Sequence, residues 1–175
     1  MAEYQGFPTA DELRDKQTSD PNMFNALLYG LVAGAIGGAI WFALVMITDH
    51  EVGIVAIAIG WLVGQAVVIG SGRKRGMKLQ LLSVLITLAA MVGAEYFIIR
   101  EILVRLLATE IGAAEAARIP LFLPLDMAID FVVSIVREDP ITLLFWGLAL
   151  YAAFRAPMVE PVAAPQPAPE ATTPS

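Results

Sequence analysis

Hydrophobic positions are concentrated in four blocks, with a further apolar stretch that carries two aspartates between the third and fourth. The first block, residues 26–47, is a run of 22 residues without a charge. As a helix it would be ~33 Å long, enough to cross a hydrocarbon core of ~30 Å. The last block, residues 141–154, is only ~21 Å as a helix, and we expect it to span by beginning at Asp139 in the headgroup zone. The pattern predicts transmembrane helices at about 23–48, 52–71, 79–99 and 140–155.

The two ends of the chain are polar. Residues 1–20 form an N-terminal tail, in which Thr9 and Glu12 have the spacing of a capping box, so a short helix is predicted near 10–17. Asp20 and Pro21 are predicted as the N-cap and first residue of the first span. Residues 157–175 are rich in Pro and Ala and are predicted to be a disordered tail.

Residues 100–138 are predicted to lie at the membrane interface. Residues 100–118 are expected either to form a surface helix or to extend the third span. The apolar stretch after them carries Asp126 and Asp130, each costing roughly 2.5–3.5 kcal/mol at the bilayer centre. An interfacial amphipathic helix is therefore favoured over a fifth span. The predicted fold is an all-α membrane bundle of four transmembrane helices, residues 21–156, with this helix between the third and fourth.

Small residues recur every four positions in the first two spans. We name them the first glycine stripe (Gly30, Gly34, Gly38) and the second glycine stripe (Ala56, Gly60, Gly64). Small residues let membrane helices approach closely. The short turn between the spans predicts a hairpin in which the stripes face each other; the alternative is that one stripe faces a second copy. Trp41 and Trp61 are predicted to fill space beside the glycines.

Charge decides the predicted orientation. A basic loop, residues 71–78, carries four positive charges, and short basic loops stay cytoplasmic; they are Arg73, Lys74, Arg75 and Lys78. Both termini are then cytoplasmic. Attraction to anionic lipid is a second role for this loop. The net charge of −6 argues against nucleic-acid binding.

Few residues could carry chemistry. Glu95 is the one acid inside a span, where ionisable residues are functional candidates; the simpler expectation is a carboxylate at headgroup level, paired with Arg100 or another outer arginine. Gln65 is predicted to make an interhelical hydrogen bond. His50 and Glu51 could form a weak half-exposed divalent site with Glu95, although a solvated turn is favoured. No catalytic constellation, metal site or cofactor is predicted, and cysteine is absent.

A motif in the first two spans suggests a family. It joins seven residues in the pattern W-x6-T-x2-E-x-G-x2-A-x3-G-x3-G, and residues 144–155 add LFWGLALYAAFR; the seven are Trp41, Thr48, Glu51, Gly53, Ala56, Gly60 and Gly64. With these motifs the chain resembles small, poorly characterised bacterial membrane proteins with four spans. The resemblance implies a bacterial inner membrane and no known activity.

Two functions follow as expectations. The first is a non-enzymatic scaffold or accessory subunit that packs through its glycine stripes in the bilayer, in a homo-oligomer or a larger membrane complex. The alternative is a small oligomeric transporter or channel that uses Glu95 and Gln65.

Overall fold

The computed structural model describes residues 9–48, 53–116, 118, 120 and 140–159. Its regular secondary structure is helical throughout these ranges, in the order α1 (Ala10–Thr18), α2 (Met23–Thr48), α3 (Gly53–Gly70), α4 (Met77–Ile111), α5 (Ala113–Ala116) and α6 (Pro140–Arg155). The predicted all-α class is confirmed. Three of the helices, α2, α3 and α4, are long and apolar enough to cross a membrane, while α6 is a shorter apolar helix. The chain is therefore a membrane protein by the length and composition of its helices.

The starts of α1 and α2 are set by side-chain caps. Thr9 and Glu12 form the predicted capping box at the start of α1. Before α2, the side chain of Asn22 accepts a hydrogen bond from the backbone N–H of Asn25 at 3.0 Å. The predicted N-cap, Asp20, is wrong because α2 begins only at Met23, and Asn22 satisfies one of its free N–H groups.

Helix α4 is longer than a single span requires. Its 35 residues correspond to about 52 Å of helix. Residues 100–111 therefore extend the third span, which was one of the two expected arrangements. The helix ends at Gly112, whose φ of 92° favours glycine. The predicted interfacial stretch with Asp126 and Asp130 lies outside the described residues.

Four helices pack side by side, and α3 contacts each of the other three. Helix α2 runs antiparallel to α3, because Gly30 lies against Val67 and Gly37 lies against Ile59. Helix α6 runs parallel to α3, because Gly60 and Gly64 meet successive turns of α6. Helices α2 and α4 therefore run in one direction and α3 and α6 in the other.

The two glycine stripes pack against different helices of the same chain. In the first stripe, a Cβ built on Gly34 would lie 3.3 Å from Ala90 of α4. In the second, a Cβ on Gly60 would overlap the backbone of Ala149 in α6. The prediction that the stripes face each other is wrong. The side of α3 that meets α2 carries Ile59, Val63 and Val67 instead, which leaves the second stripe free for the small residues of α6.

The two tryptophans of the first spans differ in burial. Trp41 is buried in the core, as predicted. Trp61 is 57% exposed, so its predicted role beside the glycines is wrong. On α3 it stands one residue from Gly60 and so projects away from α6, the helix that Gly60 contacts.

Candidate functional site

The basic loop joins the N-terminal segment to the bundle. The Lys74 ammonium donates hydrogen bonds to the carbonyl oxygen of Lys16 and to the hydroxyl of Ser19, both at 2.7 Å. The backbone N–H of Arg75 donates to the carbonyl oxygen of Gln17 at 2.9 Å. The end of α1 is therefore held beside the start of α4.

The same loop holds the end of α6. The Arg75 guanidinium donates to the carbonyl oxygens of Ala156 at 2.9 Å and Met158 at 3.0 Å. The backbone N–H of Gly76 donates to the carbonyl oxygen of Pro157, also at 3.0 Å. These bonds use carbonyls near a helix C-terminus, which have no partner inside the helix. Of the four cations, only Arg73 and Lys78 are exposed, so a lipid contact would fall mainly to them.

One face of α4 carries buried polar side chains. This polar face comprises four residues that point into the bundle: Gln80, Ser83, Thr87 and Glu95. The Ser83 hydroxyl donates to the carbonyl oxygen of Leu79 at 2.8 Å, a common way for a serine to be satisfied inside a helix. Sequence reasoning singled out only Glu95. The helical spacing of the other three along the third span was the available signal.

Glu95 lies inside the bundle. Its side chain is 3% exposed and stands between Met91 and Ile98 on the buried face of α4. Ala94, the residue before Glu95, packs at the level of Gly38 of α2. Beyond that level α2 continues for ten residues to Thr48, or about 15 Å. This burial does not fit the expected carboxylate at headgroup level. Its pairing with Arg100 stays a prediction.

Helices α2, α4 and α6 each contain a buried polar atom that has no hydrogen-bond partner among the described residues. They are the Thr87 hydroxyl oxygen and the indole nitrogens of Trp41 and Trp146. Gly38 lies beside Ala94, Gly37 lies beside Ile59, and Gly60 lies beside Ala149. Because α3 runs antiparallel to α2 and parallel to α6, these contacts place Trp146 at nearly the same height as Glu95. Trp41 stands three residues beyond Gly38 on α2. Helices α2, α4 and α6 thus each contribute a buried polar group to this part of the core.

The other predicted polar residues do not join Glu95. Gln65 is half-buried on α3, about eight residues, or about 12 Å along the helix, from the height of Glu95. His50 and Glu51 lie outside the described residues. Within the ranges that the structure describes, no three His, Cys, Asp or Glu residues are grouped as a metal site would require.

A groove runs along the outside of the bundle between α2 and α4. This outer groove has a volume of about 590 Å³, within the ~300–1,000 Å³ range of ligand pockets. Its walls are mostly small, with Gly34, Ala35, Gly38 and Ala39 on α2 and Ala89, Ala90, Gly93 and Ala94 on α4. Phe42, Phe97, Arg100 and Glu101 line the end of the groove that is nearest the C-terminal ends of α2 and α4. The first glycine stripe therefore has a second environment, because two of its three residues border this groove.

Comparisons with family models, with curated proteins and with solved structures find no match to this chain. The resemblance to small bacterial four-span proteins stays a prediction.

Proposed function

We propose that the chain is a four-span protein of the bacterial inner membrane with both termini in the cytoplasm. Helix α6 supports the fourth span, because it packs along α3 and carries only one charge, Arg155, at its C-terminal end. The bonds from Lys74 and Arg75 bring the segments before α2 and after α6 to the same end of the bundle. The positive-inside rule assigns that end to the cytoplasm. An interfacial helix between α4 and α6 completes the proposed topology.

Within the membrane, the proposed role is that of a non-enzymatic scaffold subunit that assembles through the outer groove. The observation that carries this role is the groove itself, which has small residues at four-residue spacing on both walls. Such spacing lets a helix backbone approach closely, and close packing is what drives helix association in lipid. The second glycine stripe is already covered by α6, so we assign docking to the outer groove.

The proposed occupant is α2 of a second copy. On α2 the groove residues Leu31, Ala35 and Ala39 each precede a bulky residue of a neighbouring ridge, about 100° further around the helix. This ridge is half exposed along its length and comprises Leu28, Val32, Ile36 and Ile40. Groove and ridge lie side by side, so two copies related by a two-fold axis can each place a ridge in the other's groove.

The test uses a substitution that fills the groove without changing the core. Gly93 lines the groove and an added Cβ would meet nothing within 4 Å. Gly147 on α6 is also open by the same measure but lies outside the groove. The variants Gly93→Leu and Gly147→Leu therefore introduce the same side chain at two open helical sites. The measurement is the molar mass of the protein in a mild detergent by light scattering.

We expect wild type and Gly147→Leu to be dimers and Gly93→Leu to be a folded monomer. A monomeric wild type would contradict the proposed role, as would a Gly93→Leu variant that stays dimeric. Circular dichroism of each variant checks that all three retain their helix content.

A further inference from the structure

We propose that Arg73 and Lys78 bind the headgroup of an anionic phospholipid, whose acyl chains lie along the exposed face of α4 that continues from Lys78. The binding is non-covalent and pairs the two cations with the charged headgroup. It concerns the surface of one chain and does not depend on assembly through the outer groove.

The four cations of the basic loop divide into two pairs. Lys74 and Arg75 donate hydrogen bonds that hold the ends of α1 and α6. Arg73 and Lys78 are exposed, and within the described ranges neither side chain takes part in a hydrogen bond or an ion pair. The first pair therefore supports the fold, and the second pair is open to a ligand.

Arg73 adopts a backbone conformation that an arginine does not favour. Its φ is 61°, in the left-handed region that glycine enters without the steric cost of a Cβ. The backbone N–H of Arg73 donates to the carbonyl oxygen of Val68 at 2.8 Å, which closes the end of α3. A glycine would make the same bond with less strain, so the turn does not need the arginine side chain. Such strain commonly accompanies a functional position.

The face of α4 that carries Lys78 is apolar for the depth of one leaflet. We name three exposed residues on it the leucine face: Leu81, Leu85 and Leu88. Their spacing places them within about 80° of Lys78 around the helix. From Lys78 to Leu88 is about 15 Å of helix, or half of a ~30 Å hydrocarbon core. A cation at the head of such a face fits a phospholipid better than a soluble anion, because the leucines contact the acyl chains.

The charge near these two cations also favours an anionic headgroup. Helix α4 has no acid before Glu95, which is 17 residues or about 26 Å from Lys78, and α3 and α6 have none. The described acids at this end of the bundle lie on α1 and just after it, in the segment that Lys74 holds. Since the whole chain has a net charge of −6, the attraction is local to the exposed cations.

The test is native mass spectrometry of the purified full chain in a mild detergent. The chain is titrated with phosphatidylglycerol or with phosphatidylcholine of the same acyl chains, and the bound lipids are counted per chain. The variants are Arg73→Gly, which suits the left-handed φ, and Lys78→Gln. Arg14→Gln is the matched control, since it removes an exposed cation of α1 and changes the net charge equally.

We expect wild type and Arg14→Gln to bind phosphatidylglycerol at least fivefold more tightly than phosphatidylcholine. One cation near an anionic lipid surface contributes a factor of about five, so Arg73→Gly and Lys78→Gln should each weaken phosphatidylglycerol binding about fivefold. Circular dichroism checks that each variant keeps its helix content.

Equal affinity of wild type for the two lipids would overturn the proposal, as would unchanged binding in both loop variants. An equal loss in Arg14→Gln would assign the effect to net charge and overturn the site. A parallel titration with inorganic phosphate tests the occupant. Phosphate binding that is lost in Arg73→Gly and Lys78→Gln would overturn the lipid in favour of a soluble anion.

Discussion

At the scale of single residues, the glycines differ in what surrounds them, although they look alike in sequence. A Cβ on Gly60 would overlap the backbone carbonyl of Ala149, which cannot rotate away as a side chain can. A Cβ on Gly93 would meet nothing within 4 Å. Gly60 is therefore required by the contact between α3 and α6, whereas Gly93 is not required by the fold of the single chain.

This difference predicts opposite effects of the same substitution. Gly60→Ala should lower the free energy of unfolding by roughly 1–3 kcal/mol, the usual cost of overpacking. Gly93→Ala should leave it unchanged or raise it by up to about 1 kcal/mol, because alanine favours the helix. Unfolding in mixed micelles followed by circular dichroism measures both. Equal stability of the two variants would mean that α3 and α6 do not meet at Gly60.

Glu95 shows how far the sequence predicts a site residue. Its place on the third span follows from the sequence, because it interrupts an otherwise apolar run. Its environment does not follow, because counting residues from the basic loop gives height but not direction. Which way Glu95 points depends on how α4 packs against α2, α3 and α6. The other members of the polar face, such as Thr87, gain significance only once that packing is known.

At the scale of helices, charge-free runs predict the elements well. The expected spans near 23–48 and 52–71 agree closely with α2 and α3. The partners of each helix face are harder to predict, because α2, α3 and α6 all carry small residues at helical spacing. A local pattern shows that a face can pack closely, but not against which helix. The actual choice depends on the bulky Ile59, Val63 and Val67, which face α2.

The basic loop gives a prediction about helix ends. Arg75→Ala removes the guanidinium that bonds to Ala156 and Met158. Hydrogen bonds to a charged group contribute about 1.5–3 kcal/mol when shielded from water, and less at this partly exposed position. We expect faster amide hydrogen exchange in residues 152–159, measured by mass spectrometry of peptides. Lys78→Ala is the matched control, since it removes an exposed cation of the same basic segment.

Exchange that is equally slow in Arg75→Ala and wild type would show that Arg75 does not hold the end of α6. Faster exchange in both variants would assign the effect to net charge rather than to these hydrogen bonds.

At the scale of the whole molecule, the basic loop gathers both described ends of the chain at one end of a four-helix bundle. Since the chain has no cysteine, single cysteines report topology directly. We expect Asp20→Cys and Met158→Cys to be blocked only by a thiol reagent that enters the cytoplasm. Thr109→Cys, near the far end of α4, should react with an impermeant thiol reagent added outside intact right-side-out vesicles. Reaction of Met158→Cys from outside would contradict a fourth span.

Crosslinking in native membranes shows whether the outer groove joins two copies of the chain, as we propose. Ala35→Cys places a thiol on the α2 wall of the groove, where Ala35 is exposed. Gly147→Cys places one on the exposed side of α6 as a control. With a short bifunctional thiol reagent, we expect a covalent dimer from Ala35→Cys and none from Gly147→Cys. No dimer from Ala35→Cys, or equal yields at both sites, would contradict it.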